Sequence, residues 1–360
     1  MIPADIGAEI ARLLRAAAAA GDLPERASAL PAAGTWRPAP APAGGGPGTY
    51  ATSLPFEIAR TTGRSAEAVA AMLAAGLGAM QWIRRARANG GYLTITVTAG
   101  HLAALPARIV AAGPDVVRGG DLAGTRITAP SLPDLAAAAG WDRAWQTQRD
   151  ALAGRLAEAA GATVLFIDPQ RNAIPDSAAR RFATPVAAAA ARHGADAVRY
   201  ALARASAARP RAIERQLSLP LDLDNPFVLV RYAHADATST LRWAADLGQQ
   251  PASSHPPVPG RALLLPPELA LTDAMSWLPE RIAAAARRAR SAEITACLEN
   301  VAGCWLHCEE QCPALPFRGA SAPAGGSGPL AAARLELADA ARVALAGGLR
   351  LLGVSQPARM

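Results

Sequence analysis

Apolar positions recur at helical spacing along most of the chain. Ile6, Ile10, Leu13 and Leu14 place an amphipathic helix over residues 4–20. The Pro/Gly/Ala-rich stretch from Pro31 to Gly48 breaks the pattern. Such a segment has too little apolar surface to order itself, so residues 30–48 are expected to form a disordered linker. Helical spacing returns over 52–61 and 65–88. Gly90-Gly91 then turns the chain into Tyr92-Leu93-Thr94-Ile95-Thr96-Val97, whose alternation predicts a half-buried strand. A small α+β unit over residues 1–105 follows from this order.

The middle of the chain, 106–195, is short. It is expected to hold a helix over Leu132–Ala160, around Trp141 and Trp145, and a short buried strand over Ala162–Ile167, stopped by Asp168-Pro169. Helical patterns run over 184–207, 225–247, 268–312 and 330–351. They are separated by a proline-rich gap at 251–260 and a Gly/Ser/Ala loop at 319–329. Residues 196–360 therefore read as a helical bundle, and the chain as mainly α with a small α+β N-terminal domain.

Composition changes the picture in two ways. Alanine, the strongest helix former, dominates, which reinforces the helical reading. The 36 basic residues are all arginine, so no chemistry that needs a lysine side chain is available to this sequence. A net charge of +7 suits a polyanionic partner, either nucleic acid or an anionic membrane surface. No run of 18 strongly apolar residues is present, so no membrane association is expected. Asp5 and Glu9 precede the first apolar stretch, unlike a secretory signal, so the expectation is a cytoplasmic protein with reduced thiols.

Several motifs are more specific. Residues 334–360 read RLELADAARVALAGGLRLLGVSQPARM, a helix stopped by Gly353 and followed by a tail held by Val354 and Pro357. This stretch resembles the terminal segment of arginyl-tRNA synthetases, where a "GL-x-LLGV" helix end runs into "P-x-R-M". Asn225, Pro226, Tyr232, Ala233, His234 and Ala235 are similar to the same family's Asn-Pro helix bearing "YAHAR"; Arg231 and Asp236 stand where it usually has glutamine and arginine. Asp196-Ala197-Val198-Arg199 resembles the Asp-Ala-Leu-Arg element that names the family's anticodon-binding (DALR) fold. Glu310, Cys312 and Pro313 resemble its acid–x–Cys–Pro element. Near the N-terminus, Gly48 to Ser53 is similar to "GDYATN", and Gly91 to Ile95 to the "GF-x-N" strand of the domain that reads the tRNA elbow. Tyr92 keeps an aromatic there for base stacking, worth about 1–3 kcal/mol per base. Thr94 replaces the asparagine and removes its paired amide donor and acceptor.

The family's catalytic signatures are missing from this sequence. Class I synthetases hold ATP with a His-x-Gly-His motif and a lysine-containing KMSKS loop, which stabilise charge as the adenylate forms. The histidines here are His101, His193, His234, His255 and His307, none in that motif, and no lysine is present. About 90 residues between the matching ends are too few for a complete nucleotide-binding domain. The chain thus looks like one of the catalytic-domain-less relatives that occur as stand-alone paralogues in GC-rich bacteria. The resemblance implies binding of tRNA, with tRNA-Arg the leading partner, no cofactor, and no ligase activity. Two other readings stay open. One is a protein-interaction subunit or regulator that docks on an authentic arginyl-tRNA synthetase; the other is residual arginine–tRNA ligase activity with a partner supplying the ATP site.

Candidate tRNA-contacting residues follow. Arg231, Tyr232 and His234 lie on the "YAHA" helix. Tyr232 and His234, two apart, point in different directions, so one is expected to pack in the bundle unless it meets an anticodon-loop base. Met360 closes the family-like tail. Arg281, Arg287, Arg288 and Arg290 form a basic cluster with no acid inside 281–290; it is either a solvated face or a phosphate contact. Arg84 and Arg85, with Arg87, make a second candidate patch. Cys304, Cys308 and Cys312 recur every four residues, with Cys297 before them; Cys304 with His307 or Cys308 could reach a common metal, but the second ligand pair of a zinc site is missing, so the expectation is packing cysteines and no metal. Gly347-Gly348 does not open a helix after a strand, as a phosphate cradle does, and is read as permitting close helix packing.

Overall fold

The computed structural model describes residues 2–25, 36–38, 46–168, 184–207, 209–252, 263, 265–315 and 328–360. The first helix, α1 (Ile2–Ala19), buries Ile6, Ile10 and Leu14, as its spacing requires. Strand β1 (Trp36–Pro38) pairs antiparallel with β2 (Thr49–Thr52), and Trp36 is buried. This part of the expected linker is therefore ordered: one large indole supplies the apolar area that its Pro/Gly/Ala neighbours lack. The rest of 30–45 lies outside the described residues. Helices α2 (Leu54–Thr62) and α3 (Ala66–Gly78) follow; the Ser65 hydroxyl caps α3 by accepting from Ala68 N at 3.1 Å.

Residues 83–88 do not continue α3, contrary to the helix expected over 65–88. They form β3 (Ile83–Asn89), which pairs with β4 (Tyr92–Val97) in a hairpin. Gly90 and Gly91, both at positive φ, supply the two-residue turn that a right-twisted hairpin favours. A Cβ on Gly91 would also press on Phe56 at 2.8 Å. The sheet order is β1-β2-β4-β3.

The chain then crosses to the bundle through α4 (Ala99–Ala103), α5 (Leu105–Ala112) and a 3-10 turn, Gly113–Val117. The Arg108 guanidinium donates two bonds to Asp5, at 2.7 and 3.0 Å, and ties α5 to α1. In the middle region, β5 (Arg126–Pro130) and β6 (Thr163–Ile167) pair in parallel around the crossover helix α6 (Trp141–Ala159). Ala129, Val164 and Phe166 face Gly154 of α6. The opposite face is open: Leu165 is 65% and Ile167 50% exposed, so the strand expected there is present but not buried.

Gly194 splits the expected helix over 184–207 into α7 (Pro185–His193) and α8 (Ala195–Arg204). Helix α9 (Pro210–Leu217), with no counterpart in the sequence reading, precedes α10 (Pro226–Asp246). The stretch 268–312 is three helices, α11 (Pro266–Ser276), α12 (Leu278–Arg288) and α13 (Ala292–Gln311). Pro279 and the turn at Ala289–Ser291 separate them. Helix α14 (Pro329–Leu352) ends the bundle at Gly353, in the left-handed conformation. A Cβ on Gly347 would sit 2.7 Å from Val117, and one on Gly348 2.9 Å from Leu298 Cδ1, so both glycines serve close packing as expected. The proline-rich gap and the Gly/Ser/Ala loop lie largely outside the described residues.

One continuous core runs from Ile2 to Val354. The N-terminal unit is seated on the α11–α12 corner: Gly48 N donates to Asp273 at 2.9 Å, Tyr50 Oη lies 3.0 Å from Ser276 Oγ, and the Tyr50 ring meets Trp277 at 5.1 Å. Burial, reinforced by Asp273, raises the Tyr50 phenol well above its ordinary pKa, so it stays neutral. The boundary placed at residue 105 is thus a change of element type and not a break in the core.

Ala289 ends α12 at φ 51°, a left-handed position where a side chain costs about 1–2 kcal/mol. Glycine removes that cost and adds back some unfolded-state entropy. Ala289→Gly is expected to stabilise the protein by about 0.5–1 kcal/mol, read as an increase in the denaturant midpoint.

Candidate nucleic-acid interface

Two family-like motifs of the C-terminal half, the one at Asp196 and the one on α10, meet in one place, where they hold the terminal tail. Asn225 caps α10 by accepting from Phe227 N at 3.1 Å while its amide donates to Pro220 O at 3.1 Å. One turn later Arg231 lays its guanidinium over the Phe227 ring at 5.0 Å and reaches Ser355 Oγ at 3.4 Å. Asp196, the first residue of the Asp-Ala-Val-Arg element, accepts from both the backbone N–H (3.1 Å) and the hydroxyl of Ser355. Arg199, the last residue of that element, donates to Pro133 O at 3.1 Å.

His234 is buried, with Nδ1 2.9 Å from Pro357 O. A carbonyl only accepts, so Nδ1 carries the proton in this contact. Burial lowers the His234 pKa, which favours the neutral ring with Nε2 unprotonated. Of the pair two apart on α10, His234 is therefore the one that packs, and Tyr232 stands exposed. Val354 is buried under the tail, and Met360 is exposed at its end.

Tyr232 has a companion that the motifs do not mark. Trp243, 54% exposed, lies eleven residues further along α10. At 100° per residue, eleven steps return to within about 20° of the same direction and advance about 16 Å. Two exposed rings therefore share one stripe of α10. Between them Asp236, on the same stripe, accepts from Trp305 Nε1 of α13 at 3.0 Å. The spacing of Trp243 from Tyr232 was available in the sequence as a helical repeat.

The α12 cluster is not a bare cationic face. Arg281 lies over Trp277 at 5.2 Å. Arg287 stands 3.8 Å from Asp121 and 4.0 Å from Glu280, and Arg288 is 3.0 Å from Glu293. Two of the four guanidinium groups thus meet three carboxylates, and Arg281 and Arg290 have no ion pair among the described residues. The window 281–290 contains no acid, but the turn into α13 and the distant Asp121 supply them. The cluster is a partly neutralised, solvated surface more than a phosphate cradle.

The β3 patch differs. Arg84, Arg85 and Arg87 are exposed, and none of their side chains has an ion pair or hydrogen bond among the described residues. The register shift between Ile83 and Arg85 marks a bulge at Arg84, which allows two consecutive arginines to reach solvent. Arg85 and Arg87 oppose Thr96 and Thr94 on the outer face. At the hairpin end Tyr92, 54% exposed, meets the exposed Phe56 edge-on at 5.0 Å. Free guanidinium groups beside two exposed rings can hold phosphates and stack bases. Phe56 is the second ring that the motifs did not single out.

The cysteines are free. Cys297, Cys308 and Cys312 are buried and Cys304 is partly so. Burial pushes the Cys297 and Cys308 thiols up to about 12, which makes them poor nucleophiles. Among the described residues, no three His, Cys, Asp or Glu side chains gather as a metal ion would need. No described helix is long and apolar enough to cross a membrane.

Comparison with known proteins gives this geometry its context. Residues 230–360 match the DALR anticodon binding domain. The chain is 41% identical over 174 residues to the arginine–tRNA ligase of Frankia alni, covering 46% of this chain and 29% of that protein. It is 35% identical over 167 residues to the corresponding ligase of Renibacterium salmoninarum, with the same coverage. The matches therefore span less than a third of the length of these relatives. The solved Thermus thermophilus arginyl-tRNA synthetase shares the fold, with a TM-score of 0.57 at 13% identity and 100% coverage of both chains.

Proposed function

The chain is related to the arginyl-tRNA synthetases and carries a DALR anticodon-binding domain, and from that premise we propose that it binds tRNA without activating an amino acid. The observation that carries the proposal is the match over residues 230–360 to an anticodon-binding domain, whose tail is held at Ser355 and Pro357. In that arrangement Asp196, Arg231 and His234 position the tail, while Tyr232, Trp243 and Met360 offer surface to a folded RNA. Arg84, Arg85 and Arg87, with Tyr92 and Phe56, offer a second contact for phosphates and bases. tRNA-Arg is the leading ligand because the similar proteins are arginine–tRNA ligases. A cytoplasmic site of action accompanies this reading.

Arginine activation is outside the proposal because this sequence contains neither a His-x-Gly-His motif nor a lysine for the ATP-binding loop. Incubation with arginine, ATP and tRNA-Arg, alone and with an authentic arginyl-tRNA synthetase, is expected to give no charging attributable to this chain. Charging by the chain alone would make it a ligase.

The roles of the two arginine patches separate by charge reversal. Arg84→Glu with Arg85→Glu is expected to weaken tRNA binding about tenfold or more and to flatten its salt dependence by about two contacts. Arg287→Glu with Arg288→Glu is expected to cost less, because both side chains already face carboxylates. A larger loss from the second pair would move the RNA to α12. The alternative of a protein-interaction subunit rests on Leu219, Leu221 and Leu223, exposed in the loop after α9. It gains if those leucines, and not the arginines, govern partner capture.

A further inference from the structure

A cavity of about 280 Å³ opens between α7, α8, α9 and the start of α10. It approaches the lower end of small-molecule sites, about 300 Å³. Its lining divides by chemistry. Arg192, His193 and Gln216 supply polar groups, and Leu219, Leu221 and Phe227 supply apolar walls. Among the described residues, no carboxylate lines it.

The donors are unused. Gln216 Nε2 is buried without a hydrogen-bond partner, which costs about 1–3 kcal/mol unless a ligand or water satisfies it. Arg192 is exposed, with no ion pair among the described residues. The neighbouring polar groups are committed elsewhere: Glu214 accepts from Trp141 Nε1 at 3.0 Å, Ser218 donates to Glu214 O, and both ends of the Asn225 amide are bonded. The Phe227 ring is held by Arg231 over its face and Tyr200 at 5.8 Å, so this wall is fixed before a ligand arrives. Leu221, 87% exposed, stands at the mouth with apolar surface to cover.

We propose that this cavity binds a nucleotide, its base between Phe227 and Leu221 with a carbonyl accepting from Gln216 Nε2, and its phosphate on Arg192. An unpaired amide donor and an unpaired guanidinium, with no carboxylate opposite them among the described residues, select an anion that also carries hydrogen-bond acceptors. A flat ring fits the apolar walls. The nucleotide is either free or an unstacked residue of a bound RNA, and the second source rests on the tRNA-binding reading above.

Two probes distinguish the sources: the four nucleoside 5′-monophosphates by calorimetry, and a tRNA-Arg transcript by filter binding. Arg192→Ala lies on the surface and is expected to fold; Gln216→Leu keeps the bulk and removes the donor, with circular dichroism as the folding check. A site for free nucleotide predicts binding of at least one monophosphate, weakened about tenfold in each variant, as loss of one hydrogen bond to the ligand implies. An RNA-borne base predicts weak or no monophosphate binding and an approximately tenfold loss of tRNA affinity in both variants. If no monophosphate binds and the transcript binds both variants as it binds the parent, the cavity proposal is overturned while tRNA binding stands. If neither probe binds the parent chain, both readings fail.

Discussion

Gly348→Val is expected to destabilise the protein by about 3 kcal/mol or more, with most of the chain losing its cooperative unfolding transition at moderate denaturant. Helix propensity alone predicts the opposite sign, since glycine inside a helix costs about 1 kcal/mol relative to alanine. Packing decides. A Cβ at 348 would lie 2.9 Å from Leu298 Cδ1 and 3.0 Å from Cγ, with Cδ2 closer still. Leu298 is fully buried in α13, so it has nowhere to move, and valine adds two more carbons to the same space. Truncating the obstacle tests the cause: Leu298→Ala with Gly348→Val should be less destabilised than the sum of the two single variants. Strict additivity would place the strain elsewhere.

The second large effect is expected at Arg334. Its Nε donates to Glu268 Oε1 at 2.8 Å and its Nη1 to Pro313 O at 3.1 Å, joining α14 to α11 and to the Cys-Pro turn after α13. Glu268 is 1% exposed, and its other oxygen accepts from Leu265 N at 3.1 Å. Arg334→Met leaves a buried carboxylate without its cation, a change that costs about 3–5 kcal/mol. Replacing both groups removes the uncompensated charge, so Glu268→Met with Arg334→Met should recover much of the loss. Equal destabilisation of the single and double variants, by chemical denaturation, would mean that the arginine acts through packing alone.

The strand β4 was legible because Leu93, Ile95 and Val97 alternate with polar residues. Its partner β3 was not: Arg84, Arg85 and Arg87 crowd the strand, a bulge breaks the alternation, and Ala86 and Ala88 mimic a helix. The glycine pair at 90–91 marked a turn, and a hairpin needs a strand on each side of it. Strand β5 was missed because Arg126-Ile127-Thr128-Ala129-Pro130 is short and ends in proline. Helix α9 was missed between breakers, and Gly194 and Ala289 ended helices inside runs that keep helical spacing. The tail was legible because Gly353, Val354 and Pro357 stand in a distinctive order.

Partners remote in sequence account for what the sequence hid at the candidate site. Asp196 meets Ser355 across 159 positions, and His234 meets Pro357 across 123. Those contacts turn His234 from a candidate RNA contact into a support and make Asp196 a second one. Asp121 reaches Arg287 in the same way and changes the charge of the α12 face. Periodicity finds the helix face on which a side chain lies, but not the group that occupies it.

Equilibrium binding of tRNA-Arg, against a single-stranded RNA of equal length, across a salt series is the most direct measurement of the central claim. The account predicts that affinity falls steeply with salt for both RNAs, because guanidinium–phosphate contacts release counterions, while the folded tRNA stays the tighter ligand at every salt concentration. Equal affinity for the two RNAs throughout, or no retention of tRNA at low salt, would contradict it.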